Sequence, residues 1–397
     1  MDLSHRISDL TGGSNADAWA LFFKTRALKD AGVALTDLTI GEHDIRTDPA
    51  ILTAMHDAAM GGHTGYASLP GTPALRAAIA KRVAARTGVP TGPENVLVTA
   101  GGQAALFATH HAVLDEGTRA LFPDPFYPTY PGTVRAVGGV PVPVPTRAED
   151  GFVPRPESIL AASDGNARSL LINTPNNPTG AVYDRTALEG IADAVREAGL
   201  WLISDEVYET MVWDGSHLTP RALPGMAERT LVVGSMSKTF AMTGSRIGWI
   251  VGPEAAIAAM GQLVIHTTYG VPGFVQDAAL FALGLGDKFE DAIARPFRRR
   301  RDIAVACLAR QNVVRAVPAA GAMYLMLDVR ATGLSGVTVA EHLLDEERIA
   351  VLPGESFGGA AAGHLRLAMT VDDAAFETAL TRLLEVVGAM AETRAAE

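Results

Sequence analysis

The segment Ser235-Met236-Ser237-Lys238 contains the residue of this chain best suited to covalent chemistry. It follows an apolar run, and Arg246 stands eight residues after Lys238. A lysine confined in an electropositive pocket loses its proton more easily than one in water and becomes a nucleophile. Such an amine can form a Schiff base with an aldehyde, and the neighbouring hydroxyl groups and arginine could bind a phosphate group. The alternative is an exposed lysine in a polar loop, which is the commoner meaning of so short a motif.

A second segment, Thr99-Ala100-Gly101-Gly102-Gln103, connects a predicted strand to a predicted helix. Two glycines allow the backbone to approach a ligand closely, and the N-terminus of a helix favours an anion such as phosphate. A simple tight turn is the alternative. Neither a G-x-G-x-x-G nor a G-K-[ST] pattern is present at this segment, which argues against a dinucleotide site and a P-loop there.

Three more segments place polar or aromatic residues after predicted strands, where α/β sheets bind their ligands. Tyr127 could stack on a flat ligand or pack on the surface. The turn-rich segment 173–180 could be only a turn, or its Asn177-Pro178 bond, possibly cis, could aim the Asn177 amide at a ligand oxygen. Asp205 could pair with a protonated ring nitrogen and Tyr208 with a ring hydroxyl, unless these residues form a solvated acidic cluster.

Several basic residues could either bind a ligand or have a structural role. Arg366 lies in a short apolar segment, where a guanidinium requires an anionic partner. That partner could be a substrate carboxylate or a structural salt bridge. The four arginines at 298–301 are interpreted as a solvated helix face. No metal is expected at His110-His111, because adjacent helix residues point to different faces.

Short β-branched runs alternate with helical patterns through the middle of the chain, which predicts a mainly parallel sheet covered on both faces. The predicted strands are 96–98, 119–122, 140–145, 169–172, 201–204, 230–233 and 246–250, with helices at 103–114 and 186–198. Segment 140–145 contains three prolines and is predicted to be an edge. After about residue 286 a long helix (288–310) precedes strands at 323–328 and 365–368 and a helix at 339–347. This change of pattern predicts a second, smaller α+β domain.

Composition limits the class of protein. The net charge is −11, hydrophobic residues make up 48% and charged residues 19%. These values are typical of a globular chain, and they provide no electrostatic basis for binding nucleic acid or an anionic membrane. The single cysteine excludes a disulfide within the chain, and the first residues lack the apolar core of a signal peptide. We therefore expect a cytoplasmic protein.

Taken together, the motifs resemble a known family. The residues that carry the resemblance are, in chain order, Tyr66, Gly71, Leu75-Arg76, Gly101-Gly102-Gln103, Tyr127, Asn177-Pro178-Thr179-Gly180, Asp205, Tyr208, Ser235-Met236-Ser237-Lys238, Arg246 and Arg366. They resemble the class I/II aminotransferases of fold type I, the aspartate aminotransferase superfamily, over about residues 38–370. Each motif is weak alone, and their order and spacing make the resemblance specific.

The resemblance implies an α/β fold with a mainly parallel seven-stranded sheet between helices in a large cofactor-binding domain, residues 48–286. Both chain ends, residues 1–47 and 287–397, would form the smaller α+β domain. It also implies a pyridoxal 5'-phosphate-dependent enzyme that moves an amino group from an L-amino acid to a 2-oxo acid. The mechanism would be ping-pong, through an internal aldimine on Lys238.

Residue roles follow from the same resemblance. Lys238 would hold the cofactor and move a proton, Asp205 would pair with the ring nitrogen, and Tyr127 would stack on the ring. Asn177 and Tyr208 would bind the ring oxygen. The phosphate would contact the set Gly101, Gly102, Gln103, Ser235, Ser237 and Arg246. Arg366, with Gly41 and Asn177, would bind the substrate carboxylate. Tyr66 would reach the phosphate of a neighbouring subunit, which implies a homodimer with shared active sites.

Two departures from the family pattern concern specificity. His43 stands where relatives often have proline, and it could alter the mouth of the site. Gln103 stands where some aspartate-specific relatives carry a lysine for the distal carboxylate, which argues against strict aspartate specificity. A carbon–sulfur β-lyase on the same fold is the alternative function, because the cofactor performs the difficult chemistry in both reactions.

Overall fold

The structure is a computed structural model that describes residues 3–10, 19–317 and 319–396. Its helices are α1 His5–Ser8, α2 Ala20–Asp30, α3 Pro49–Met60, α4 Pro73–Thr87, α5 Gly102–Val113, α6 Thr129–Ala136, α7 Pro156–Ala162, α8 Arg185–Glu197, α9 Met236–Thr239, α10 Glu254–Ile265, α11 Gly273–Gly284, α12 Asp287–Leu308, α13 Gly336–Glu347 and α14 Asp373–Ala396. Its strands are β1 Thr36–Asp37, β2 Val96–Thr99, β3 Arg119–Asp124, β4 Val140–Pro145, β5 Ala167–Asn173, β6 Trp201–Asp205, β7 Thr230–Ser235, β8 Gly248–Val251, β9 Arg315–Ala316, β10 Tyr324–Asp328, β11 Ile349–Ala350, β12 Leu352–Pro353 and β13 His364–Ala368.

Seven strands form the large sheet, in the order β2-β8-β7-β6-β5-β3-β4. The pairs among β7, β6, β5, β3 and β4 are parallel, whereas β8 runs antiparallel to both β2 and β7. The central strands are buried along nearly their whole length, because helices cover both faces of the sheet. The prediction of a mainly parallel seven-stranded sheet is therefore confirmed.

The carboxyl ends of the parallel strands bring the predicted site residues to one edge of the sheet. Asn173 ends β5, Asp205 ends β6 and Ser235 ends β7. Register pairs Asn173 with Asp205, so two of these ends are direct neighbours. Strand β4 is one of the two edge strands, as its prolines predicted, because proline has no N–H to donate to a second neighbouring strand.

A second layer of structure is built from both ends of the chain. Strands β12, β13, β10 and β9 form an antiparallel sheet, and β1 pairs in parallel with β11. One hydrophobic cluster joins this sheet to α2, α12, α13 and α14, with Leu21, Phe297 and Phe376 among its buried residues. The N-terminal segment therefore packs with the C-terminal third of the chain.

The arginine run in α12 corrects one interpretation of the sequence. Arg298 and Arg299 are about half-exposed, as expected of a solvated face, but Arg300 is 3% exposed. Its guanidinium donates to Asp44 at 2.6 Å and to Asp373 at 2.9 Å. Both acidic partners are distant in the sequence, so the local charge pattern could not reveal them. The solvated-face prediction is wrong for Arg300.

Two further observations concern membranes and metals. Within residues 3–10, 19–317 and 319–396, no helix combines the length and apolar character needed to cross a bilayer. The same residues hold no group of three or more His, Cys, Asp or Glu side chains placed to bind a metal ion. Burial lowers the pKa of His110, in α5, to about 4, so its ring is neutral at physiological pH.

Candidate active site

A cavity of about 330 Å³ opens at the carboxyl edge of the large sheet, between that sheet and the second layer. Most residues predicted to act in the site line it. They are Gly41, Gly102, Gln103, Tyr127, Asn177, Asp205, Tyr208, Ser235, Ser237, Lys238, Arg246 and Arg366. Gly101 precedes Gly102 at the cavity wall, whereas Tyr66 lies apart on the surface. The fold thus gathers residues separated by more than 300 positions, since Gly41 and Arg366 line the same cavity.

One end of the cavity has the donors of an anion site. Helix α5 begins at Gly102, so its first backbone N–H groups have no partners within the helix. Gly101 has a φ of +86°, and a Cβ on it would lie 2.5 Å from Nη2 of Arg246. Glycine is therefore required here, both for the left-handed backbone and for the close approach of the guanidinium. Ser235 and Ser237 add hydroxyl groups to the same wall.

Lys238 lies in the short helix α9, directly after β7. Its Nζ donates to the backbone carbonyl of Gly41. Burial lowers the pKa of Lys238 to about 8, since a charged ammonium loses its hydration in the cavity. Arg366 and Arg246 lower the pKa further by repulsion, while Glu42 acts in the opposite direction. The amine is therefore available as a nucleophile near neutral pH.

The lowered pKa gives a pH prediction for the protein without bound ligand. We expect Lys238 to react with pyridoxal at a rate that rises as the pH passes about 8, because only the neutral amine attacks an aldehyde. Cyanoborohydride trapping across a pH series, followed by mass spectrometry of the peptide that contains Lys238, gives the profile. The exposed Lys81 is an internal reference for reagent loss. A rise only near 10.5, the ordinary value for lysine, would contradict the burial argument.

Asp205, at the end of β6, is 5% exposed. Burial raises its pKa to about 6, and the adjacent Glu206 carboxylate adds to the rise. Two hydrogen bonds oppose this: the Tyr130 hydroxyl donates to Oδ2 at 2.7 Å, and the Val207 N–H donates to Oδ1 at 3.4 Å. At neutral pH the group is mainly ionised in a poorly solvated position, so a cationic partner would stabilise it.

Two tyrosines form a hydrogen-bonded pair on another wall. The hydroxyls of Tyr208 and Tyr324 lie 2.8 Å apart, and burial raises the pKa of each above its usual value. The Tyr324 hydroxyl also packs against Gly41, where a Cβ would collide with it. Both phenols stay protonated at physiological pH, so each can donate a hydrogen bond.

Arg366 lies on β13 and faces the cavity from the second layer. Its guanidinium contacts the rings of Tyr324 and Phe357, and each ring centroid lies 4.6 Å from its carbon Cζ. Nη1 donates to Asn177 Oδ1 at 3.1 Å, and Nη2 donates to the Thr39 carbonyl. Nε is buried and has no partner among the described residues. The remaining donors are available to a ligand anion.

Tyr66 does not reach the cavity of its own chain. It is 89% exposed and packs edge-to-face on Tyr269, with ring centroids 5.0 Å apart. Met60, at the end of α3, is also largely exposed. Tyr66 and Tyr269 therefore form an exposed aromatic pair on the surface, and neither side chain is part of the cavity wall.

Comparisons with known proteins identify the family. A family model described as aminotransferase class I and II matches residues 33–383. The chain is 40% identical over 369 residues to an arginine–pyruvate transaminase of Pseudomonas aeruginosa, covering 92% of this chain and 94% of that protein. The chain belongs to the class I and II aminotransferases.

Other comparisons agree with the family and the fold. The aminotransferase is 38% identical over 390 residues to an aspartate/prephenate aminotransferase of Thermus thermophilus, with 97% and 99% of the two chains covered. A solved aspartate aminotransferase from Thermus thermophilus with maleate superposes with a TM-score of 0.89 at 36% identity. That alignment covers 96% of this chain and 100% of the other. The predicted family, fold and aminotransferase activity are therefore confirmed.

Class I/II aminotransferases use pyridoxal phosphate, and the residues of the cavity suit this cofactor. The cavity contains an amine of lowered pKa, a buried carboxylate that pairs with no cation among the described residues, and an anion site formed by a helix N-terminus and a guanidinium. These match the aldehyde, the pyridine nitrogen and the phosphate of the cofactor.

Several residues that line the cavity were not assigned roles from the sequence, among them Trp19, Phe22, Tyr130 and Tyr324. Tyr130 and Tyr324 hydrogen-bond Asp205 and Tyr208. Tyr130 lies in α6, three residues after Tyr127, which precedes that helix. Their short spacing in the sequence was the available signal that Tyr130 also lies near the site. For Trp19, Phe22 and Tyr324 the local sequence contains no such signal, because their positions depend on packing between distant elements.

Proposed function

We propose that this aminotransferase transfers the amino group of an L-amino acid to a 2-oxo acid in two half-reactions, with Lys238 as the catalytic amine. The observation that carries the proposal is that Lys238, Asp205 and Arg366 line one cavity and have buried, chemically distinct environments. Lys238 would attach the cofactor covalently, Asp205 would stabilise the charge on its ring, and Arg366 would bind the substrate carboxylate. The two half-reactions give ping-pong kinetics.

Residues on three walls would hold the cofactor. Lys238 would bind it covalently, Asp205 would pair with the ring nitrogen, and Tyr127 would lie against the ring. Asn177 and Tyr208 would donate to the ring oxygen, since Asn177 already uses Oδ1 to accept from Arg366 and retains its NH₂ group. The phosphate would contact Gly101, Gly102, Gln103, Ser235, Ser237 and Arg246. Pyridoxal phosphate supplies a protonated ring that withdraws electrons from the substrate Cα.

Lys238 has a second role once the substrate amine is bound. Its Nζ would take the proton from the substrate Cα as general base and deliver it to the cofactor carbon as general acid. A pKa of about 8 suits this exchange, because both protonation states are accessible near neutral pH. The Gly41 carbonyl, which accepts from Nζ, helps to position the amine between transfers.

Arg366 would bind the α-carboxylate of the substrate. The guanidinium is held by two rings and by Asn177, so it is preorganised for a two-pronged contact. The Gly41 backbone and the Asn177 side chain lie beside it. Holding the carboxylate fixes the substrate with its Cα toward Lys238, which reduces the entropic cost of proton transfer.

We also propose that the active unit is a homodimer with shared sites. Tyr66 and Tyr269 form an exposed aromatic contact, and Met60 is also exposed, so a second copy would cover apolar side chains that one chain leaves in solvent. Tyr66 would then contact the phosphate in the neighbouring subunit. Sedimentation analysis should report twice the chain mass of 41.6 kDa, and Tyr66→Ala should weaken retention of the cofactor.

We also propose a division of the chain into two domains. Residues 48–286 would form the cofactor-binding domain, and residues 1–47 and 287–397 the smaller one. The hydrophobic cluster that unites α2 with α12–α14 supports this division.

We propose a cytoplasmic location for the protein. Its single cysteine, Cys307, is buried and forms no disulfide, which fits a reducing compartment.

A half-reaction assay tests the function. The protein loaded with pyridoxal phosphate should convert to the pyridoxamine form when an amino acid is added alone, and return to the starting spectrum with a 2-oxo acid. The names of the relatives suggest the first substrates to try: arginine with pyruvate, and aspartate with prephenate. Release of pyruvate and ammonia without an acceptor would instead support the β-lyase alternative.

A further inference from the structure

Two aromatic side chains, Trp19 and Phe22, line the cavity and are assigned no part in holding the cofactor. Trp19 immediately precedes α2, and Phe22 lies in the first turn of that helix. Their rings meet edge-to-face, with centroids 5.6 Å apart and an interplanar angle of 77°. Phe22 also packs against the hydrophobic cluster of the second layer, which anchors the pair. We call Trp19 and Phe22 the aromatic pair.

The cations of the cavity are all committed under the proposed function. Among its described lining residues, the lysines and arginines are Lys238, Arg246 and Arg366. Lys238 would hold the cofactor, Arg246 its phosphate, and Arg366 the substrate α-carboxylate. Within one chain, the described lining therefore contains no further cation for a second carboxylate on the substrate, and Arg26, whose Cζ lies 6.0 Å from the centroid of the Phe22 ring, is outside that lining. A buried carboxylate without a partner is costly, so a dicarboxylic amino acid fits this wall poorly.

Gln103 does not replace the missing cation. Its Nε2 donates to Thr133 at 2.8 Å, and its Oε1 accepts from Thr129 at 3.0 Å. Both ends of the amide are thus engaged by α6. Glu42 also lines the cavity, and its carboxylate would repel a second carboxylate. Charge on this wall therefore acts against a dicarboxylic substrate.

We propose that the aromatic pair determines specificity and selects amino acids with a long side chain that carries no carboxylate. The chemistry is shared by aromatic, long aliphatic and guanidinium side chains, because each can lie against an indole or phenyl ring. The proposal implies that a short side chain does not reach the pair and gains nothing from it. The inference rests on the proposed function, since it assumes that Arg366 binds the α-carboxylate.

The test compares half-reaction rates of the loaded enzyme with phenylalanine, leucine, arginine, aspartate and alanine. The three long substrates should have higher kcat/KM than aspartate and alanine. Trp19→Ala should lower kcat/KM for phenylalanine by about 10- to 100-fold, the scale of losing one apolar contact surface, with the value for alanine changed by less than about two-fold. Trp19→Phe should restore most of the loss, because a ring is retained.

Phe23→Ala is the matched control. Phe23 meets the Phe22 ring edge-to-face, with centroids 5.6 Å apart, but is 64% exposed and does not line the cavity, so it tests packing of the pair without contact to the cavity. Its replacement should leave the whole substrate series unchanged. If Trp19→Ala fails to fold, Trp19→Phe and Phe22→Leu still probe the contact with a smaller change, and Phe22→Leu should lower kcat/KM for phenylalanine more than for alanine.

A binding measurement separates recognition from turnover. Calorimetry with 3-phenylpropanoate, which carries the carboxylate and ring but no amine, should detect binding to the loaded enzyme and a weaker affinity for Trp19→Ala. Succinate should bind more weakly than 3-phenylpropanoate to the unaltered enzyme. Fastest conversion of aspartate, or equal effects of Trp19→Ala on phenylalanine and alanine, would overturn the inference. Absence of any half-reaction would instead contradict the proposed function.

Discussion

Replacing Lys238 by alanine should abolish turnover and remove the visible absorption of bound pyridoxal phosphate. General acid–base catalysis alone contributes about 100- to 10,000-fold, and loss of the covalent attachment adds to it, so we expect a decrease in kcat of at least about 1,000-fold. Stopped-flow half-reactions measure the rate. Borohydride reduction followed by mass spectrometry should label the peptide that contains Lys238 in the unaltered protein and leave the variant unlabelled.

The control for this change is Lys81→Ala. Lys81 lies on the exposed side of α4, far in the sequence from the cavity-lining residues, and no described hydrogen bond or ion pair involves it. Its replacement should change neither the absorption nor the rate. Addition of methylamine tests the role further, because a small amine that enters the cavity could restore part of the proton transfer. A Lys238→Ala variant that kept its absorption and turnover would remove Lys238 from the mechanism.

The sequence was sufficient for the sheet because its strands are buried apolar runs with turn residues at each end. Strands β5, β6 and β7 start and end within two residues of their predicted limits. The exception is Arg246, which was predicted to begin a strand. It has a φ of +50°, and β8 begins at Gly248. The left-handed turn allows the Arg246 guanidinium to reach the glycines at the start of α5.

The same reasoning located the site only in part. Motifs at strand ends predicted Asn177, Asp205 and Lys238, because parallel strands end at a common edge. Contacts between distant elements could not be predicted, since they depend on packing that no local pattern encodes. Tyr130 reaches Asp205, at the end of β6, from α6, and Trp19 reaches the cavity from the N-terminal segment. The residues that adjust the environment of the site were therefore the ones missed.

Replacing Arg366 by lysine should weaken substrate binding while leaving the cofactor in place. Lysine retains the positive charge but lacks the planar fork, so it cannot make the two-pronged contact with a carboxylate. We expect kcat/KM for the amino acid to fall by about 10- to 100-fold, with most of the change in KM, because each charge-assisted hydrogen bond contributes about 1.5–3 kcal/mol. The half-reaction measured at several substrate concentrations separates KM from kcat.

The side chain of Arg366 also supports the structure around it, so its loss could act indirectly. It donates to Asn177 and to the Thr39 carbonyl, and its face contacts the rings of Tyr324 and Phe357. Two measurements distinguish binding from support. Retention of the absorption of bound pyridoxal phosphate would show that the Asn177 wall is intact, and thermal unfolding would report any general loss of stability.

Arg330→Lys provides the matched control for the Arg366 change. Arg330 lies in the same layer but pairs on the surface with Asp328, where an ion pair contributes little. The Arg330→Lys substitution should leave KM, kcat and the absorption of bound pyridoxal phosphate unchanged. If Arg366→Lys likewise left KM unchanged, the α-carboxylate would bind elsewhere, and Arg366 would be a cation free to bind a second carboxylate. The Arg366 result therefore also decides whether the aromatic pair can be interpreted as a specificity site.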